Sequence, residues 1–126
     1  MKASITPYYT DIASIYRSAD FAITRAGAST VAELAAAGLP ALLVPLADVA
    51  DDHQAANARV FTEAGAGLMV REGAWDARTL GPRVAAFLND TAAWTAASDA
   101  ARAAAMPDAA QRIVADCEAE MAGRWS

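Results

Sequence analysis

The chain has 126 residues, 56% of them hydrophobic, enough to bury one core and too few for a second. A net charge of −5, with Lys and Arg scattered singly, argues against nucleic acid as a partner. The 20% charged fraction and the recurring Leu, Ile, Val and Phe exclude a disordered chain, and the lone Cys117 suits a reducing cytoplasm rather than a disulfide scaffold.

Met1-Lys2 is followed by polar Ser4 and Thr6 where a signal peptide would turn apolar. Residues Ala3–Thr6 could add a strand, which would bring the total to four at most. A helix is predicted over Asp11–Ser18, a strand at Phe21–Ile23, and a helix over Thr30–Ala37 that stops at Gly38. Ala41–Val44 reads as a second strand. The apolar stretch 34–50 is broken by Gly38, Pro40, Pro45 and Asp48, so it does not span a bilayer. A helix over Gln54–Ala64, ending at Gly65, leads to a third strand at Gly67–Val70. Strands alternating with helices imply βαβ units and a Rossmann-like parallel sheet with flanking helices, an α/β fold.

After Val70 the pattern is helical: Asp76–Asn89, Asp90–Ala105 and Asp108–Arg124, each opening on an Asp that suits a helix N-terminus. Trp75, Phe87 and Trp94 are expected to pack between elements, and Cys117 to be a small buried or half-exposed helix residue. The whole chain is therefore one partial domain, with βα units to about residue 70 and a helical part from about 75 to 126. The βαβ unit that often carries the first glycine-rich phosphate loop does not precede this pattern, so the domain is expected to be cut at its front.

Residues Thr24 to Glu33 run from a strand end through Gly27 into a helix. Small residues there let a backbone approach a ligand, and unpaired helix-start N–H groups suit a phosphate. Arg25 falls at the carboxyl end of a strand, where open α/β sheets bind ligands. Glu33 has two readings. Thr30-x-x-Glu33 matches a capping box, and the same carboxylate is also suited to accept from ribose hydroxyls. Gln54 and Asn57 share a helix face and could read sugar hydroxyls, or simply form a polar helix start behind Asp51 and Asp52. His53 is the only histidine, and without further ligands at recognisable spacing it predicts no metal site.

Taken together, Arg25-Ala26-Gly27-Ala28-Ser29-Thr30, Glu33-Leu34-Ala35-Ala36-Ala37-Gly38-Leu39-Pro40 and Asp52-His53-Gln54-Ala55-Ala56-Asn57 resemble glycosyltransferase family 28. The resemblance extends from Pro7-Tyr8-Tyr9 to Pro107-Asp108-Ala109-Ala110 and Arg112-Ile113. It is to the C-terminal half of the branch that moves N-acetylglucosamine from its UDP donor to a lipid-linked muramoyl-pentapeptide in peptidoglycan synthesis. It implies the donor-binding half of a GT-B fold and an inverting hexosyl transfer without a metal or other cofactor. By the same resemblance, Glu33 holds the ribose, Ala28, Ser29 and Thr30 face the diphosphate, and Gln54 and Asn57 contact N-acetylglucosamine. Tyr8 and Tyr9 line the uracil pocket, and Arg25 lies near the nucleotide. The acceptor domain, its proposed base and the first glycine-rich loop are not in this sequence, so no catalytic residue is expected here and the chain alone is expected to be inactive. The implied location is cytoplasmic, with peripheral association at the inner face of the plasma membrane. A non-catalytic nucleotide-sugar-binding or interaction module, and a family 28 transferase with another acceptor, are the alternatives.

Overall fold

A computed structural model describes residues 2–47 and 52–125. Within them α1 (Ile12–Ser18), β1 (Ala22–Thr24), α2 (Ala28–Ala37), β2 (Ala41–Leu43), α3 (His53–Glu63) and β3 (Gly67–Met69) alternate, and α4 (Ala77–Asn89), α5 (Thr91–Ala104) and α6 (Ala109–Trp125) follow. The strands form one parallel sheet in the order β1-β2-β3, with Ile23, Leu42 and Leu68 on one rung. Residues 3–6 form no strand, so the described sheet has three strands rather than four. Ile5 is almost fully exposed and has no neighbouring strand to pair with. Asp51, which the sequence placed before α3, lies outside the described residues, as does the end of the 34–50 apolar stretch.

Two parallel crossovers of the same hand, each moving one strand along, must leave their helices on the same face. α2 and α3 accordingly pack side by side. Their apolar sides meet Ala41 and Leu43 in a core that includes Leu34, Leu39, Ala58 and Phe61. Burying a side chain of the size of Leu34 or Phe61 contributes about 1.5–3 kcal/mol, so this layer is the main source of stability. The opposite face is less covered, because Ile23 remains 55% exposed on β1.

Helix ends follow local chemistry. Asp11, Asp76 and Asp90 accept from the backbone N–H of Ser14, Arg78 and Ala93 at 3.0, 2.9 and 3.0 Å, satisfying donors that the helix itself cannot pair. Gly38 (φ 63°) and Gly65 (φ 88°) take the left-handed conformation that ends α2 and α3. At Gly38 the amide donates to Ala35 and that of Leu39 to Leu34, both at 3.0 Å, which closes the last turn of α2.

α5 runs past the amino ends of all three strands. The Trp94 indole N–H donates to the Asp20 carbonyl at 2.6 Å, just before β1. The Ser98 hydroxyl donates to the Gly38 carbonyl at 2.6 Å, before β2, and Ala100 lies beside Gly65, before β3. This fastening leaves the carboxyl ends of the strands open. Phe87 pairs with Phe21 at a ring separation of 5.7 Å, so Phe87 and Trp94 pack between elements as expected. Trp75 differs: it is 47% exposed, because it lies in the turn before α4 rather than on a helix face. Cys117 is exposed on α6, a helix whose residues 110–124 are all exposed.

Candidate functional site

The three strand ends deliver three segments to one crevice: Arg25 to Gly27 after β1, Val44 to Ala47 after β2, and Arg71 and Glu72 after β3. The first leads into α2. Gly27, extended at φ −61° and ψ 149°, is the N-cap and has no side chain to satisfy the amides that follow. The first helical bond runs from Val31 N–H to the Gly27 carbonyl at 3.0 Å. The N–H groups of Ala28, Ser29 and Thr30 therefore form the positive end of α2, the arrangement that binds anions.

This start corrects the capping-box reading of Glu33. With Gly27 as N-cap, Thr30 is already inside the helix and Glu33 lies a further turn along, out of reach of the N-cap amide. Ala28 and Ser29 belong to the helix, which therefore starts two residues before Thr30. Glu33 is exposed and instead faces Tyr16 of α1 across a cleft of about 420 Å³ that Ile12, Ala13 and Ala36 also line. Burial, then the charge of Glu33, then a hydrogen bond donated to its carboxylate hold the Tyr16 phenol above its usual range.

On the other side of α2, Ala28 and Asn57 line an apolar cleft of about 430 Å³ with Val31, Val60, Phe61 and Met106. Asn57 donates from Nδ2 to the Ala26 carbonyl at 3.0 Å. Gln54 Oε1 accepts from Leu46 N–H at 2.8 Å and from Ala26 N–H at 3.4 Å. Gln54 thus holds the β1–α2 and β2–α3 connections together below the start of α2, and Asn57 fastens the first of them to α3. Gln54 donates through neither of these bonds, so its Nε2 is not what ties the loops.

Arg25 Nη2 meets Glu72 Oε1 at 2.7 Å, and its Nη1 donates to the Val44 carbonyl at 3.4 Å. The other Glu72 oxygen accepts from Ala47 N–H at 3.2 Å. The Arg25 hydrogen bond, the Ala47 amide and the arginine's charge hold the Glu72 carboxyl below the usual carboxylate range. Beside this pair Asp52 bridges Arg71 at 3.2 Å and Arg59 at 3.8 Å.

Arg25, Gln54 and Asn57 therefore converge at one junction, next to the amides of Ala28, Ser29 and Thr30, with Glu33 around the helix in the neighbouring cleft. The structure does not bring Tyr8 and Tyr9 into either cleft: they are 76% and 47% exposed in the extended segment before α1. Sequence reasoning missed Tyr16 and Glu72. Tyr16 carried no usable signal, since its partner is set by how α1 crosses α2. Glu72 carried a weak one, a charged residue just past a strand's carboxyl end. Among the described residues no group of three or more His, Cys, Asp and Glu is arranged to hold a metal, and no helix is long and apolar enough to cross a membrane.

The model of the glycosyltransferase family 28 C-terminal domain matches residues 1–113. The UDP-N-acetylglucosamine--N-acetylmuramyl-(pentapeptide) pyrophosphoryl-undecaprenol N-acetylglucosamine transferase of Halorhodospira halophila is 44% identical over 116 residues, covering 92% of this chain and 32% of that protein. The enzyme of the same name from Thiobacillus denitrificans is 46% identical over 117 residues, covering 93% of this chain and 31% of its own length. The crystal structure of Acinetobacter baumannii MurG superposes with a TM-score of 0.79 at 36% identity, over 88% of this chain and 32% of that one. The chain thus spans about a third of the length of the curated relatives it matches.

Proposed function

This chain belongs to the glycosyltransferase family 28 C-terminal domain family, and from that premise we propose that it provides most of the UDP-N-acetylglucosamine site of an inverting transferase. The acceptor proposed is a lipid-linked muramoyl-pentapeptide, in keeping with the names of the relatives. The observation that carries the reading is the position of the α2 N-terminus, which lies between the Glu33 cleft on one side and the Gln54 and Asn57 junction on the other. A nucleotide sugar has the same order of parts: a ribose with paired hydroxyls, a diphosphate, and a hexose.

In this reading the ribose hydroxyls donate to Glu33, whose rotamer Tyr16 restrains. The diphosphate lies on the amides of Ala28, Ser29 and Thr30 with Arg25 nearby, the Gln54 and Asn57 amides face the N-acetylglucosamine, and the uracil is assigned to the exposed segment of Tyr8 and Tyr9 before α1. An acceptor hydroxyl attacks the anomeric carbon from the face opposite UDP. The new carbon–oxygen bond forms as the bond to the β-phosphate oxygen breaks, and the configuration inverts. The charge that develops on departing UDP falls at the positive end of α2. Acceptor binding and removal of the acceptor's proton are assigned to parts of the relatives that this chain does not match. The chain by itself is therefore a binding unit, because transfer requires both substrates fixed in register. A lipid-linked acceptor implies work at the cytoplasmic membrane face, reached by peripheral contact.

Ligand-observed NMR of the purified chain with UDP-N-acetylglucosamine, UDP-glucose and ADP tests the reading. Selective saturation transfer to the first is expected. Glu33→Ala is expected to weaken it by about 1–3 kcal/mol, the loss of a hydrogen bond to a charged group. Equal signals from all three nucleotides would overturn the selectivity for UDP-N-acetylglucosamine, and full affinity in Glu33→Ala would remove the ribose role.

A further inference from the structure

The site contains one strap that joins all three strand ends, and Glu72 is its centre. Its carboxylate receives the Arg25 guanidinium on one oxygen at 2.7 Å and the Ala47 amide on the other at 3.2 Å. The guanidinium is held from a second side by the Val44 carbonyl at 3.4 Å. Residues following β1, β2 and β3 are thereby locked to one another across the crevice. We propose that Glu72 is a positioning residue for the donor diphosphate, presenting Arg25 and the 44–47 segment in a single arrangement; this role rests on the donor-site reading above.

Two effects of Glu72 oppose each other. Its charge offsets part of the arginine's and so lowers the attraction for a diphosphate. Its hydrogen bond also removes rotamer freedom that a loose arginine would surrender on binding. The arginine and glutamate side chains are 47% and 45% exposed, so solvent screens the first effect. A guanidinium has five N–H donors, and the strap uses only Nη1 and Nη2. Arg25 can therefore meet a phosphate without leaving Glu72, and orientation outweighs charge.

Glutamine at this position separates the roles, because both of its present partners are donors. A carboxylate accepts from both, whereas an amide must turn its NH2 toward either Arg25 or Ala47. UDP and UDP-N-acetylglucosamine would be titrated by NMR into the wild-type chain, Glu72→Gln, Arg25→Ala and the double variant. Glu72→Gln is expected to weaken both nucleotides by about tenfold. In the Arg25→Ala background it should cause no further loss, since without the arginine the glutamine can turn its oxygen to the Ala47 amide and keep that bond. The Arg25 Nε–H resonance should be sharp in the wild-type chain and broadened in Glu72→Gln, while the amide spectrum remains that of the folded protein.

Unchanged or tighter binding by Glu72→Gln, or a further loss of similar size on the Arg25→Ala background, would overturn the positioning role alone. Absence of nucleotide binding by the wild-type chain would overturn the donor-site reading and this role with it.

Discussion

At Glu33 the same residue type supports two chemistries, and a helix that starts two residues earlier than its pattern suggested removes one of them. The capping box needs Thr30 outside the helix, and Gly27 takes that place. Glu33 then has Tyr16 as its neighbour, and the consequence can be measured. Because the Tyr16 phenol is raised above 10.0, the folded chain retains this proton at pH values where the unfolded chain has lost it. Its contribution to stability is full below pH 10.0 and is lost as pH rises through the raised value. Urea unfolding between about pH 9 and about pH 11 should fall more steeply for the wild-type chain than for Tyr16→Phe. Parallel slopes would show that Tyr16 is not coupled to Glu33. Gln54 is a second case at this scale: its sequence position suggested a contact to sugar hydroxyls, and its oxygen ties two backbone segments.

The helices and strands were largely legible in advance, because their signals are local. Asp76 and Asp90 cap the helices they precede, as their positions predicted, two glycines end helices in left-handed geometry, and the three apolar runs became three strands. The main boundary shift is at α2, which begins two residues before the β-branched Thr30 that marked its start in the sequence. What holds the elements together is less visible in sequence. Gly67 allows β3 to lie so close to β2 that a Cβ there would strike the Ala41 carbonyl. Ser98 is 1% exposed, donates to the Gly38 carbonyl and accepts from Arg102 at 3.0 Å, which ties α5 to the end of α2. Ser98→Ala should lower unfolding free energy by about 1–3 kcal/mol, since a carbonyl loses its buried partner. Asp99→Ala, on the exposed side of the same turn, should change it by less than about 0.5 kcal/mol. Urea denaturation of both variants compares them directly, and equal effects would mean that the Ser98 bond contributes nothing.

Across the whole molecule, the α5 fastening and the candidate site are at opposite ends of the sheet. α5 closes the amino ends, and the carboxyl ends carry the charged and amide groups. Protection against hydrogen exchange should follow the burial of apolar contacts: greatest in β2 and α2, lowest in α6, whose residues 110–124 are all exposed. Mass-spectrometric exchange would measure this order, and protection of α6 equal to that of α2 would contradict it. The α/β class, the succession of elements, the caps of α4 and α5 and the family were legible in the sequence alone, because each depends on neighbours within a few positions or on a motif read in order. Only the tertiary structure decided that Glu33 faces Tyr16 and that Glu72 holds Arg25. Those pairs are 17 and 47 residues apart in the chain. Which residues meet across such intervals depends on how helices cross and how strands align, and no local pattern encodes it.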